Sequence, residues 1–263
     1  MNPVLYGFTA FTALRLFINE MKQVASRIIK TIADIIFPVE CVGCGQANEF
    51  LCSSCASKIK IIPVQTCHYC RKPQPFGKTC DQCANKNRLD GLFILGPYDQ
   101  PILKEAIHAW KHERVKEIGN ILGLRLANLL APDFFQKNSA PEAHSPSAKI
   151  IVPIPLRKPR QFDRGFNQSE QLAHILANEF KIPAKALLVK TKDTEPQSSL
   201  NREQRLRNIR GVFALANGEK LNGENTILVD DITTTGTTLE EACLTLKKAC
   251  AKTVWGIALA HGS

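Results

Sequence analysis

The sequence of 263 residues predicts an α/β domain with a mostly parallel sheet, preceded by a small cysteine-rich module. In the second half of the chain, short continuous apolar runs alternate with amphipathic helical patterns, as strands and helices do around a buried parallel sheet. Eight of the ten cysteines lie instead between Cys41 and Cys83, a stretch with too little apolar material for a sizeable core. We therefore expect an N-terminal helical segment (1–37), a cysteine-rich module (38–91) and an α/β domain (92–263).

The composition is that of a globular protein, with 44% apolar and 22% charged residues, which excludes a wholly disordered chain and a polytopic membrane protein. The first 18 residues lack a basic segment and a small-residue cleavage site, and they are too short and interrupted to span a bilayer. We therefore expect no integral membrane insertion and a location in the reducing cytoplasm, where cysteine thiolates persist.

The N-terminal segment has an amphipathic stripe over residues 24–36, with apolar side chains at helical spacing, and Pro38 ends the pattern. The stripe predicts a helix that packs on the rest of the protein. A peripheral helix that binds a membrane or a partner is the alternative, and it is disfavoured because the polar face is not strongly basic.

Four C-x-x-C pairs make up the cysteine-rich module. Each pair directs two sulfurs at one ion, and two pairs complete the tetrahedral four-thiolate coordination typical of structural zinc. Two zinc ions are expected, with no position left for a reacting water. Sequential pairing closes shorter loops than interleaved pairing, which stays open as the alternative. The sequential sets are Cys41, Cys44, Cys52 and Cys55, and then Cys67, Cys70, Cys80 and Cys83.

Three potential ligands fall outside these sets. His68 lies inside the third pair and is interpreted as a bystander, because the sets are complete without it. Cys243 and Cys250 lie seven residues apart in a helical pattern and are interpreted as buried thiols on its core face.

The α/β domain is predicted element by element from its apolar patterns. Helices are expected at 102–110, 118–129 and 172–177, and strands at 150–152, 187–189, 227–229 and 254–259. Residues 131–149, which are rich in proline and serine, are expected to form a loop.

The most informative stretch is residues 226–238, where an apolar strand ends in Asp230 and Asp231. Five threonines around Gly236 follow, and Thr238 and Glu241 form a predicted capping box at the start of a helix. Helix N–H groups, hydroxyls and a glycine suit a phosphate, while the carboxylates suit vicinal sugar hydroxyls with Mg²⁺ nearby. The stretch therefore predicts a sugar-phosphate ligand. A simple strand-to-helix turn is the alternative, but it needs fewer acids and threonines.

Residues 229–238 resemble the diphosphate-sugar signature of type I phosphoribosyltransferases, which bind 5-phosphoribosyl 1-pyrophosphate (PRPP). From about residue 24 to the end, the chain is similar to the ComF/GntX family of competence-associated proteins, in which a zinc ribbon precedes a phosphoribosyltransferase-like domain. The resemblance lies in residues 37–45, 152–168 and 229–238, and in Gln197, Leu200, Arg202, Arg205, Asn208, Gly211 and Phe213. Residues 110–114 depart from it, because a Lys-Tyr-x-Gly-like stretch is expected there.

The resemblance implies a role for each matching position. Asp230 and Asp231 would hold the ribose hydroxyls of PRPP, with Mg²⁺, and act in catalysis together with Arg164. The loop after Pro153 would face the pyrophosphate, and residues 191–210 would form a flap over PRPP. The 5-phosphate would lie against Thr234, Thr235, Gly236, Thr237 and Thr238. Pyrophosphate and flap residues would be Pro153, Arg157, Arg160, Gln197, Arg202 and Arg205.

The resemblance further implies a role in natural transformation, on incoming single-stranded DNA in the cytoplasm. An active transferase is expected, and the sequence does not identify its acceptor substrate. A non-catalytic binding module and a PRPP-sensing regulator are the alternatives. Arginine-rich residues 202–210 suit a flap over an anion, but they could equally contact a DNA backbone. The net charge of +10 falls to about +6 once two zinc ions bind eight thiolates, so only weak, non-specific DNA binding is expected. Competence proteins are further possible partners.

Overall fold

The computed structural model describes residues 38–85, 88–130, 149–156, 162–192 and 210–262, together with positions 12, 15–18, 20 and 21. The helix predicted over 24–36 and nearly all of the predicted loop 131–149 lie outside the described residues. None of the helices in the described ranges combines the length and the apolar content needed to cross a bilayer.

The described chain contains five helices and six strands after residue 37. The helices are α1 (Ser53–Lys58), α2 (Pro101–His112), α3 (Lys116–Leu130), α4 (Gln168–Phe180) and α5 (Thr237–Lys248), with a 3₁₀ turn at Pro75–Gly77. The strands are β1 (Gly91–Pro97), β2 (Ile150–Pro153), β3 (Leu188–Lys190), β4 (Phe213–Leu215), β5 (Asn225–Thr233) and β6 (Thr253–His261).

Four strands form the predicted parallel sheet in the order β1-β6-β5-β2. Burial is continuous over residues 226–229 of β5 and 254–260 of β6, the two central strands, which explains the apolar runs at these positions. Because all four strands run in the same direction, their carboxyl ends meet at one edge of the sheet. Pro97, Pro153, Thr233 and His261 end the four strands there, at the edge where α/β proteins bind their ligands.

The strand predicted at residues 187–189 is not part of this sheet. β3 pairs antiparallel with β4 in a separate two-stranded sheet, with Leu188 opposite Leu215. A three-residue apolar run does not distinguish a strand of the main parallel sheet from a strand of a separate antiparallel pair. Val189, in the middle of β3, is exposed. β1 was not predicted, because its sequence adjoins the cysteine-rich module.

Helices cover both faces of the sheet. On one face, α2, α3 and α4 share a core in which Trp110 is fully buried and donates a 2.9 Å hydrogen bond to Gln171. On the other face, α5 packs together with the β3–β4 sheet. Cys243 lies in this second core, as predicted. The same prediction was wrong for Cys250, which is exposed with φ of 72° beyond the end of α5.

The cysteine-rich module shares the core of the α/β domain. Leu51, Cys52, Cys55 and Ile59 belong to the same buried cluster as the helices α2 to α4. Gly77 of the module packs closely against β1. Its φ is +76°, and a Cβ at this position would lie 2.1 Å from the carbonyl oxygen of Leu92. The two parts of the chain therefore pack as one body at this junction.

Candidate metal centres and phosphate-binding site

The eight cysteines of the C-x-x-C pairs form two clusters. In each cluster the four sulfurs lie within 4.8 Å of one another, and the grouping is the predicted sequential one. Sequential grouping follows from the short loops between the paired turns. Four thiolates in one cluster are the donor set of a structural zinc site. The clusters are Cys41, Cys44, Cys52 and Cys55, and Cys67, Cys70, Cys80 and Cys83.

The first cysteine of each cluster lies in a turn that favours its thiolate. Burial alone would raise the pKa of Cys41, but N–H groups of Cys52, Gly43 and Cys44 outweigh it and lower the pKa to about 6. Backbone N–H donors likewise outweigh burial at Cys67 and lower its pKa to about 6. At Cys41 and Cys67 the local backbone thus favours the thiolate that zinc requires, whereas burial and the neighbouring cysteines raise the pKa of Cys55 and of Cys83 to about 12.

The predicted phosphate loop connects β5 to α5. Gly236 is the N-cap of α5 with φ of 75°, and the first-turn N–H groups of this 12-residue helix face the loop. The hydroxyls of Thr235 and Thr237 lie 2.5 Å apart beside them. This arrangement suits a phosphate, so phosphate binding at the loop stays a prediction that the geometry allows.

The predicted capping box is wrong. The helix begins at Thr237, one residue before the predicted cap, and no side chain caps it. Glu241 turns away and accepts a 2.7 Å hydrogen bond from the backbone N–H of Gly211. Glu241 therefore holds the first described residues after the predicted flap against α5.

The acid pair lies at the end of β5, beside the loop. Asp230 accepts hydrogen bonds from the Ser169 hydroxyl at 3.0 Å and from the Asp231 N–H at 2.9 Å. Asp231 forms an ion pair of 2.7 Å with Lys111, and Arg164 lies 4.0 Å from the same carboxylate. Burial and the neighbouring charge of Asp231 raise the pKa of Asp230 to about 7. A cation or hydroxyl donors would relieve this repulsion.

Lys111 and Ser169 were missed by the sequence prediction. Lys111 comes from the end of α2, inside the stretch 110–114 that departs from the family pattern. Only 12% of the Lys111 side chain and 15% of the Asp231 side chain are exposed, so solvent screens their ion pair weakly. The departure of residues 110–114 from the family pattern was the available signal in the sequence, because that stretch still contains a lysine, Lys111.

Most of the predicted PRPP residues that are described meet at this edge. Asp230, Asp231 and Arg164 are in contact range, and Pro153 pairs in register with Val229, next to the acids. The loop residues Thr234, Thr235, Gly236, Thr237 and Thr238 follow directly along the chain. The remaining predicted residues lie outside the described ranges and stay predictions: Arg157, Arg160, Gln197, Arg202 and Arg205.

His68 is not among the clustered metal ligands, as predicted, but it contacts the phosphate loop. Its ring lies against the phosphate loop, so that a Cβ on Gly236 would lie 2.4 Å from two of its ring atoms. The adjacent Tyr69 hydroxyl hydrogen-bonds to Glu240 in the first turn of α5 and accepts the N–H of Leu89 at 3.1 Å. The second cysteine cluster therefore buttresses the phosphate loop, a contact that no sequence pattern indicated.

Comparison with known proteins agrees with both parts of this site. The family model of the double zinc ribbon domain matches residues 32–84, and that of the phosphoribosyl transferase domain matches residues 167–261. Competence protein F of Haemophilus influenzae is 32% identical over 236 residues, which cover 85% of this chain and 98% of that protein. Competence protein ComFC of Bacillus subtilis is 32% identical over 216 residues, 79% of this chain and 82% of that protein.

Further relatives are more distant. DNA utilization protein YhgH of Escherichia coli is 29% identical over 210 residues, 78% of this chain and 88% of that protein. Among solved structures, glutamine PRPP amidotransferase from B. subtilis is 20% identical with a TM-score of 0.36, covering 58% of this chain and 30% of that chain. Purine phosphoribosyltransferase from Pyrococcus horikoshii is 20% identical with a TM-score of 0.31, covering 55% of this chain and 73% of that chain.

The fold and the two sites define a phosphoribosyltransferase domain that follows a zinc-binding double ribbon. The chain belongs to the ComF family of competence proteins.

The first cluster should bind one zinc ion that can be removed separately. Cys52→Ser is expected to reduce the zinc content from two ions to one, and to lower the melting temperature, because Cys52 lies in the shared core. Elemental analysis and thermal unfolding measure both effects. Cys243→Ser is the control, because it changes an equally buried thiol outside the clusters and should keep both ions. Two ions retained in Cys52→Ser would contradict the assignment.

Asp230→Asn should stabilise the protein more at pH 8 than at pH 5. The folded protein holds the Asp230 proton up to a pKa of about 7, whereas the ordinary value is 3.8, so raising the pH through this window costs folding stability. Asparagine removes that cost, and the gain in melting temperature over the parent should grow with pH. The exposed Asp99→Asn should show no such trend. An equal gain at both pH values would mean that burial does not perturb Asp230.

Proposed function

We propose that this protein binds PRPP with Mg²⁺ at the carboxyl edge of the sheet and transfers its phosphoribosyl group to an acceptor. The observation that carries the proposal is the half-buried acid pair Asp230–Asp231, which lies near the end of β5, shortly before a loop that enters the N-terminus of α5. Carboxylates next to a phosphate site suit a ligand with hydroxyls at one end and a phosphate nearby. A sugar phosphate has both.

Each part of PRPP has a complementary group. The 5-phosphate accepts hydrogen bonds from the N–H groups at the start of α5 and from the hydroxyls of Thr235 and Thr237. The ribose hydroxyls donate to Asp230 and Asp231, whose carboxylate oxygens are also ligands of the kind that Mg²⁺ prefers. Bound Mg²⁺ supplies positive charge to the leaving pyrophosphate.

The pyrophosphate lies towards β2 in this proposal. Pro153 ends that strand beside the acid pair, and Arg164 is in place on the same side. In the reaction, an acceptor nucleophile bonds to the anomeric carbon while the bond to pyrophosphate breaks and the pyrophosphate leaves with the electron pair. The acceptor proton passes to solvent. Arginine side chains stabilise the charge that develops on the leaving group.

The cellular role that we propose is natural transformation, with action on or near single-stranded DNA in the cytoplasm. Two relatives are named competence proteins, and a third is named a DNA utilization protein. A binding module without turnover and a PRPP-sensing regulator are the alternatives. Release of pyrophosphate over a panel of acceptors separates the transferase from both, and a PRPP-dependent change in DNA or partner binding separates the regulator from the plain module.

PRPP binding should depend on both acids. Asp230→Asn and Asp231→Asn should each weaken PRPP binding about tenfold or more, because a hydrogen bond to a charged group contributes roughly 1.5–3 kcal/mol. Gly236→Val should weaken PRPP binding further, because a valine would have to adopt a backbone φ of +75° and its side chain would collide with His68. Calorimetric titration with Mg²⁺ present gives the affinities. Cys243→Ala is the control and should leave them unchanged. If both asparagine variants bind PRPP with the affinity of the parent protein, the proposed site is wrong.

Binding to single-stranded DNA should be weak, independent of sequence and strongly salt-dependent. The basic net charge motivates this expectation, and aromatic residues are only 7%, which limits base stacking. Arg205→Ala should weaken binding to all sequences alike and reduce the salt slope by about one. The matched control is Lys104→Ala, which removes one exposed cation from α2. Fluorescence anisotropy at several salt concentrations measures the slope, and sequence-selective or salt-insensitive binding would refute the expectation.

A further inference from the structure

Two neighbouring side chains join the second cysteine cluster to the phosphate loop. His68 and Tyr69 lie between the first two cysteines of that cluster, so the turn that presents these cysteines to a metal also carries both side chains. The backbone N–H of Arg71 donates to the carbonyl oxygen of Cys67 at 2.9 Å and closes this turn. The positions of the two side chains therefore depend on how firmly the turn is held.

The ring of His68 lies directly against the loop glycine. A Cβ on Gly236 would lie 2.4 Å from the Cε1 and Nε2 atoms of the ring, so nothing larger than a hydrogen atom fits there. Only 8% of the His68 side chain is exposed. Because Gly236 is the N-cap of α5, the ring forms one wall of the loop that is proposed to hold the 5-phosphate.

Tyr69 holds a carboxylate in the first turn of α5. Its hydroxyl donates to Glu240 and accepts the backbone N–H of Leu89 at 3.1 Å, and the guanidinium of Arg88 lies 4.5 Å from its ring centroid. A carboxylate in the first turn of a helix competes with any other anion for the positive end of that helix. Tyr69 draws this carboxylate towards the ribbon, which leaves the N–H groups of α5 to a phosphate.

The first cluster lies in a different environment. Cys41, Cys52 and Cys55 belong to the core that covers the sheet face with α2, α3 and α4, whereas α5 packs on the other face. The two clusters otherwise correspond closely, since each has an exposed second cysteine, Cys44 in the first and Cys70 in the second. The clusters thus share a donor set and differ in what they contact.

We propose that zinc at the second cluster is an effector of PRPP binding, and that His68 and Tyr69 are the positioning residues that transmit its presence. When the turn is held, the ring and the hydroxyl keep the phosphate loop and the start of α5 in their ligand-binding arrangement. Coupling between two sites is reciprocal, so bound PRPP retains the zinc of the second cluster in turn. The first cluster serves folding alone. The proposal rests on the proposed function, because its ligand is the same PRPP.

The test measures zinc release from the zinc-loaded full chain into a chromogenic chelator, with and without PRPP and Mg²⁺. Cys44→Ser and Cys70→Ser each remove one exposed ligand and should leave one zinc ion, in the cluster that is not changed. PRPP should slow release from Cys44→Ser, which keeps the second cluster, about fivefold or more. It should change release from Cys70→Ser less than about twofold.

The affinity for PRPP gives the reciprocal measurement. In calorimetric titration, Cys70→Ser should weaken PRPP binding about fivefold or more, and Cys44→Ser less than about twofold. Tyr69→Phe removes only the hydroxyl that bonds to Glu240. This variant should keep both zinc ions and lose most of the effect of PRPP on their release. If Tyr69→Phe retains the full effect, transmission through Tyr69 is wrong.

The outcomes separate this coupling from the proposed function. If PRPP does not bind the parent protein, the proposed function fails, and the coupling fails with it. If PRPP binds but slows the release of neither zinc ion, or of both equally, the coupling is wrong while the PRPP site stands. The parent protein decides this even if a variant fails to fold, because its two zinc ions should leave in two phases, of which PRPP slows one.

Discussion

The repulsion between Asp230 and Asp231 is the interaction around which the rest of the site is arranged. Burial first, and the charge of Asp231 second, raise the pKa of Asp230, so the two carboxyl groups resist being ionised together. Lys111 and Ser169 reach the pair from α2 and α4 and offset part of that cost. They meet there because parallel strands end at one edge and the covering helices reach the same edge.

The double ribbon contributes to this site as well as to folding. Metal coordination replaces the core that residues 38–85 are too polar to build. The first cluster packs into the domain core, and the second presses His68 and Tyr69 against the start of α5. Because His68 adjoins a zinc ligand in sequence, the shape of the phosphate loop depends on metal bound in a different part of the chain.

The start of α5 serves three contacts through three different groups. Its free N–H groups face the phosphate loop, its Glu240 accepts from Tyr69, and its Glu241 accepts from Gly211. A side chain that capped the helix would occupy the N–H groups that a phosphate needs. The missing cap is therefore consistent with ligand binding, and it explains why the capping pattern misled the sequence prediction.

The sequence by itself determined the two cysteine clusters, most of the helices and strands of the α/β domain, and the acid pair followed by the loop. Each depends on residues close together along the chain, where spacing fixes geometry. Only the tertiary structure decided that β3 leaves the main sheet, that Lys111 pairs with Asp231, and that His68 lies on Gly236. The last contact joins residues 168 positions apart, and it forms only because the ribbon and the sheet bury surface against each other. No local pattern records which distant surfaces fit together, so such contacts are decided by packing.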